Sequence, residues 1–333
     1  MSQGYSLVKN CEAEKTKFWN YFDRIYEDLP YVSSLYSKFS NFYYEQKCID
    51  EGISYDDLSF ILLHDEKPIA GFLGCLIQNN GSRYIQNFDL PSFFIENYNG
   101  LSPKQRKKYF LLIDELLTLK VDFKKFAGVT NTNNISWALD YLMTKKNLRG
   151  SLKFKREIKL EDSEKKLKSN IRKSYHSLIN WGLRELNLEV KDAKNINLKD
   201  IMALRELHFE EAGRRTRSEK SWIAQFEQIK NTPSFLVNGF LENKLVTSGL
   251  FICNKNHCYY GVSASKRAFF DKPLFHAVMW TAILKAKKSD INFFETGFEI
   301  VNNEEEIFSL KQKQIALFKS GFGGRLVPEI VVT

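Results

Sequence analysis

Two periods of hydrophobic spacing run through the chain, and their order repeats. In the first half, Phe18, Phe22 and Ile25, then Leu35, Phe39, Phe42 and Tyr43, recur at helical spacing across residues 11–47, with a break near Pro30. Three strand-like runs follow, Leu58 to His64, Pro68 to Gln78 and Ser82 to Phe88. The turn chemistry of Asp65-Glu66-Lys67 and Asn79-Asn80-Gly81 between them predicts an antiparallel meander. A helix from Pro103 to about Leu119, a strand near Phe123 to Val129, a helix from Asn133 to Lys145 and a strand near Leu152 to Leu160 complete the unit. The second half begins with helices from Ser163 to Trp181, Leu198 to Ala212 and Ser218 to Lys230. It continues with strands Ser234 to Leu241, Leu245 to Cys253 and His257 to Ser263, separated by Glu242-Asn243-Lys244 and Asn254-Lys255-Asn256. A helix from Pro273 to Lys288, the strand Asn292 to Glu295, a last helix and a last strand, Arg325 to Val332, close the chain.

The repeated order predicts an α+β (mixed α/β) protein of two tandem units, residues 1–160 and 161–333, each a mostly antiparallel central sheet flanked by helices. Glu157 to Lys168 is charged but holds no Pro/Gly/Ser linker, so the units are expected to pack tightly, with a cleft between them for substrate.

The last helix, from Glu304, carries Ile307, Leu310, Gln314, Leu317 and Phe318 at spacings of three and four, which predicts one buried face with Lys311, Gln312 and Lys313 in water. It ends in Gly321, Gly323 and Gly324, residues suited to leaving a helix for a strand. Lys319 is thereby fixed at a short, stiff junction.

The run Ile315-Ala316-Leu317-Phe318-Lys319-Ser320-Gly321-Phe322-Gly323-Gly324 resembles the "FK, then FGG" segment of Fem-type proteins, members of the GNAT acyltransferase superfamily. The basic helix Asn170 to Gly182 and the short strand Phe293-Phe294-Glu295-Thr296-Gly297 are similar to two further family segments, in matching order across the C-terminal half. The resemblance implies tandem GNAT-like units and transfer of an acyl or aminoacyl group to an amine of an amino-sugar, polysaccharide or cell-envelope precursor. The donor it implies is acyl-coenzyme A, in the first place acetyl-coenzyme A, or alternatively an aminoacyl-tRNA.

Composition agrees with a folded protein: 43% hydrophobic and 27% charged residues exclude a disordered or fibrous chain. A formal charge of +9 favours anionic partners, among them a nucleotide-linked amino sugar, tRNA or an acidic membrane surface. No apolar run is long enough to span a bilayer, and Met1 to Ser6 carries no secretion signal, so a cytoplasmic location is expected. Five cysteines without CxxC spacing and five scattered histidines give no metal motif.

Acyl transfer to an amine passes through a tetrahedral oxyanion that a fixed cation stabilises. By the resemblance that cation is Lys319, with Phe318 as its packing partner; a helix-end lysine is otherwise often no more than a solvated match to the macrodipole. Glu295, at a strand end, is the best-placed general base, with Asp271 and Glu299 as competitors. Arg172 and Lys173 on the basic helix, and Arg214, Arg215 and Arg217 after Gly213, are candidates for gripping substrate phosphates. Tyr260 is a further substrate-binding candidate. Ser265, Lys266 and Arg267 stand where GNAT proteins usually present a glycine-rich loop to the coenzyme A pyrophosphate, yet Ala264 to Leu274 contains no glycine. No GxSxG elbow is present, and Cys75 and Cys253 lie in apolar strands, so direct attack by the amine is expected. A non-catalytic nucleic-acid-binding module is the rival class, with Lys107-Lys108-Tyr109-Phe110 and Lys124-Lys125-Phe126 offering aromatics beside lysines for base stacking.

Overall fold

The computed structural model describes residues 4–25, 37–79, 82–86, 92–95, 100–118, 128–131, 149–254, 256–300 and 308–332. The helix expected at Asn133 to Lys145, the break at Pro30, Lys124-Lys125-Phe126 and residues 304–307 lie outside them. The chain forms two compact units: one comprises residues 1–38, 48–152 and 328–333, the other residues 39–47 and 153–327.

In the first unit, β1 (Tyr5–Lys9), β3 (Phe60–His64), β4 (Lys67–Leu73) and β7 (Ser92–Ile95) form one sheet in the order β1-β3-β4-β7. A second sheet joins β2 (Ser54–Asp57), β5 (Cys75–Asn79) and β6 (Ser82–Gln86) in the order β2-β5-β6. The apolar run of β3 is explained by burial on both faces. Ile61 and Leu63 pack on Phe18, Trp19 and Phe22 of α1 (Lys15–Ile25), whereas Phe60 and Leu62 join Phe110 and Ile113 of α3 (Pro103–Thr118). A second helix, α2 (Lys38–Asp50), counts with the other unit through its residues 39–47.

The single strand read from Pro68 to Gln78 is two strands in different sheets, parted at Gly74. Buried Ser59 fixes the break: its Oγ accepts from the Gly74 N–H at 3.0 Å and donates to the Gly74 carbonyl at 3.3 Å. Strands β1, β2 and β7 are additions to the sequence reading. β8 (Gly128–Asn131) pairs with the last residues of β15 (Arg325–Val332), Glu329 opposite Asn131.

In the second unit, β9 (Gly150–Lys159), β10 (Asn187–Lys191), the meander β11 (Phe235–Leu241), β12 (Lys244–Asn254) and β13 (His257–Ser265), and then β14 (Phe293–Glu299) and β15 line up as β10-β11-β12-β13-β14-β9-β15. β10 was not expected. Strands β10 to β13 pair antiparallel in succession, as do β14 and β9, whereas β13 and β14 are parallel. Four helices, α4 (Glu164–Ser169), α5 (Lys173–Glu185), α6 (Leu198–Ala212) and α7 (Glu219–Asn231), precede the meander; α8 (Leu274–Lys288) and α9 (Leu310–Ser320) follow it. The core gathers Ile179, Phe251, Val278, Met279, Ile283 and Phe294 from both helices and sheet.

Two features of this unit depart from the sequence expectation. The helix read from Ser163 to Trp181 is interrupted at residues 170–172, where the Arg172 N–H donates to the Gly321 carbonyl at 2.8 Å instead of continuing a helical ladder. The face of α9 read as buried is turned outward: Leu310 is 79% and Leu317 58% exposed, and Gln314 is exposed as well. Ala316 is the buried residue of that helix, and Phe318 is half-buried. The helix is anchored by its C-terminal turn, not by its apolar stripe.

Candidate active site

Parallel strands β13 and β14 pair through three residues, His257 to Tyr259 with Phe293 to Glu295, and then separate, although β13 continues to Ser265 and β14 to Glu299. At the same level Thr296 bulges out of the ladder between β14 and β9. Gly297 follows with φ of +100°, a left-handed-side conformation that favours glycine. The Lys319 ammonium lies against this glycine: a Cβ built there would meet Nζ at 2.9 Å. The same ammonium lies 5.0 Å from the centre of the Tyr260 ring, within range of a cation–π attraction.

Lys319 is half-buried and has no ion-pair partner among the described residues. Burial holds its pKa below the usual lysine value, against the pull of Glu295 and Glu299, which acts the other way. Each of those carboxylates is already engaged. Lys155 Nζ donates to Glu295 at 2.8 Å, and Arg156 Nε donates to Glu299 at 2.6 Å. The third competitor, Asp271, is exposed and pairs with Lys272 at 3.3 Å. Tyr260 packs against the core of the unit, and desolvation there pushes its phenol up to about 12 against an opposing bond with the Ser263 hydroxyl.

The junction carrying Lys319 is held from behind. Phe318 contacts the rings of His276 at 5.1 Å and Phe322 at 5.2 Å, and Tyr175 donates from its hydroxyl to the Phe318 carbonyl at 3.3 Å. Burial takes the His276 pKa down to about 4, against a weaker opposing hydrogen bond at Pro273, so the ring is neutral within this aromatic cluster. Gly323 and Gly324 have φ of +83° and +87°, and a Cβ on either would sit 2.6 Å from the carbonyl oxygen of Asn170 or Glu157 respectively. The glycines therefore let the chain pass tightly against the α4–α5 break and β9.

No family model matches the chain, and no curated protein matches it in sequence. Among solved structures, that of FemX is similar with a TM-score of 0.64 and 13% identity, over 93% of this chain and 94% of the other. L-PGS from Bacillus licheniformis gives 0.53 and 11%, over 79% and 80%. A tandem GNAT protein from the clavulanic acid biosynthesis pathway gives 0.50 and 8%, over 99% and 98%. The fold is that of Fem-type, tandem GNAT proteins. On it, Lys319, Phe318, Tyr260 and Glu295 share one neighbourhood around the β13–β14 opening.

The other candidates of this GNAT fold fall into two places. Arg172 and Lys173 are exposed at the start of α5, and the Arg172 guanidinium reaches the Leu317 carbonyl at 3.5 Å. Ser265, Lys266 and Arg267 stand near the end of α6. Ser265 pairs with Thr247 at 2.7 Å, Lys266 Nζ with Glu210 at 3.2 Å, and the Arg267 N–H donates to Glu211 at 3.0 Å. Acidic side chains thus occupy both cations and one amide of this candidate set. Just beyond α6, Arg214 and Arg215 are exposed, whereas Arg217 stacks 3.8 Å from the Trp222 ring and donates to the Tyr43 hydroxyl at 2.8 Å.

Sequence reading missed Lys155, Tyr175 and a buried carboxylate, Glu157. Burial raises the pKa of Glu157, but hydrogen bonds and charge from His257 and Arg325 outweigh it and leave the carboxyl below its usual range. The alternation of Lys153, Lys155 and Glu157 along β9 was the available signal. Among the described residues no group of His, Cys, Asp and Glu is arranged to hold a metal, and no helix is long and apolar enough to cross a membrane. Of the aromatics proposed for base stacking, Phe110 is buried and Tyr109 packs against the same core.

Proposed function

We propose that this protein transfers an acyl or aminoacyl group to an amine, with Lys319 stabilising the oxyanion. The observation that supports this best is a desolvated ammonium, without an ion-pair partner among the described residues, beside the opening of β13 and β14. A cation in such a site acts on developing negative charge with little competition from water. The amine nitrogen attacks the donor carbonyl, the C–N bond forms, and the carbonyl oxygen takes up the negative charge beside Lys319. Collapse expels the alkoxide or thiolate of the donor, and the proton shed by the nitrogen passes to Glu295, directly or through water, and from there to the leaving group. Lys155 fixes that carboxylate in place.

The acceptor we propose is an amine of an amino-sugar, polysaccharide or cell-envelope precursor, its phosphates met by Arg172, Lys173, Arg214 and Arg215. Acyl-coenzyme A is the first donor to test. Its pyrophosphate would have to displace Glu210 and Glu211 from Lys266 and Arg267, and that observation favours an aminoacyl-tRNA ester as the second reading.

The test is mass spectrometry of amino-sugar nucleotides incubated with acetyl-coenzyme A or charged tRNA. A product heavier by one acyl or aminoacyl group is expected with one donor. Lys319→Ala is expected to lower turnover roughly 10²- to 10³-fold while remaining folded. Full activity in that variant would remove Lys319 from the mechanism.

A further inference from the structure

We infer that the outward face of α9 is a docking surface for an anionic lipid bilayer. Leu310 and Leu317 lie seven positions apart, about two helical turns, and so share one face. They are 79% and 58% exposed. Large apolar side chains repeated at helical spacing and left in water mark an interaction surface. The inner side of the helix is already fixed by Ala316 and by the ring contacts of Phe318, so rotation to bury the stripe is closed off.

The surroundings choose the occupant. Lys311 is exposed, and Lys313, between the two leucines, is partly so; the exposed Arg172 reaches over to the Leu317 carbonyl at 3.5 Å, with exposed Lys173 next to it. A second copy docking through this face would set these cations against their own counterparts, because a two-fold interface uses the same patch on both sides. An anionic bilayer meets both features at once: the leucines enter the headgroup boundary and the cations meet lipid phosphates. At 11 residues the helix lies on the surface and does not cross it. Lys319 is two residues beyond Leu317, roughly 200° around the helix, so docking leaves it on the protein side. Docking shares Arg172 and Lys173 with the proposed acceptor site, but the variants that test it, at Leu310, Lys311 and Leu317, lie outside that site, so the two readings fail separately.

The experiment is co-sedimentation of the full chain with phosphatidylcholine vesicles, with or without phosphatidylglycerol, at low and high salt. Binding is expected to the anionic vesicles only, and to weaken with salt. The double variant Leu310→Ser with Leu317→Ser is expected to bind roughly tenfold or more weakly, and Lys311→Glu several-fold more weakly, each with an unchanged circular dichroism spectrum. A separate reporter, Leu317→Trp, is expected to shift its emission to the blue on anionic vesicles. Absence of binding by the wild type, or equal binding by the serine variant, would overturn the inference. So would a dimer in analytical ultracentrifugation that Leu317→Ser abolishes, which would assign the face to a second copy.

Discussion

Gly321 shows how one residue type can be legible while its reason is not. Its φ of −65° is ordinary helical backbone, so no conformational demand calls for glycine. The demand is space, since a Cβ would lie 2.2 Å from Cε2 of Tyr175. Tyr175 also packs on Phe322 at 5.4 Å, and so cannot simply swing away. Gly321→Ala is therefore expected to destabilise the protein by about 1–3 kcal/mol, as overpacking does. Urea unfolding of Gly321→Ala, Tyr175→Ala and the double variant measures it. The double variant should be less destabilised than the sum of the singles, because the second change removes the ring that the first collides with. Additive effects would mean that the two residues do not oppose each other. The sequence pattern marked Gly321, Gly323 and Gly324 as junction residues; their partners, Tyr175, Asn170 and Glu157, are far away in the chain and invisible to local spacing. Lys319 is a similar case. Its type and place were legible, whereas its burial depends on Tyr260 and Gly297.

At the scale of elements, periodicity identified stripes but not what covers them. The meander β11-β12-β13 was legible because each turn sequence sits between alternating runs, and Glu242 and Asn243 do adopt φ of 50° and 63°. The α9 stripe was equally periodic, yet it faces outward, because the C-terminal turn and the ring contacts of Phe318 fix the helix before the stripe can choose a partner. The split of residues 68–78 has a different cause. Apolar residues continue without a break from Ile69 to Ile77, so the boundary at Gly74 depends on Ser59, fifteen positions earlier. Ser59→Ala removes both the acceptor of the Gly74 N–H and a donor to the Gly74 carbonyl in a buried setting. The expected loss is about 1–3 kcal/mol, the cost of leaving such groups unmet. Thermal unfolding of the variant should show a lower midpoint; an unchanged midpoint would show that the two strands part without the serine.

At the scale of the whole molecule, the repeated order of elements announced two α+β units, since that order is local information read twice. The inclusion of residues 39–47 in one unit and 328–333 in the other rests on long-range contacts that no local pattern carries. Stability is also a property of the whole, and the proposed role of Lys319 sets it against activity. Burial lowers the pKa of this lysine in the folded state, so as pH rises toward the ordinary lysine value the folded protein releases the proton before the unfolded chain does. In that window the unfolded state binds more protons, and the contribution of Lys319 to stability rises with pH. Under the proposed mechanism turnover is expected to move the opposite way, because a neutral amine no longer opposes the oxyanion. Lys319→Met removes the desolvated charge and keeps the length of the side chain. It is therefore expected to raise the urea midpoint at neutral pH, to erase the difference from wild type at alkaline pH, and to lose transfer at every pH. Unfolding curves at neutral and alkaline pH for both proteins test this directly. A lower midpoint for the methionine variant at neutral pH would mean that the ammonium is held by attraction to Glu295 and Glu299 and serves the fold. A higher midpoint with lost transfer would mean that the protein sacrifices stability to keep a cation beside the opening of β13 and β14, as a catalytic lysine requires.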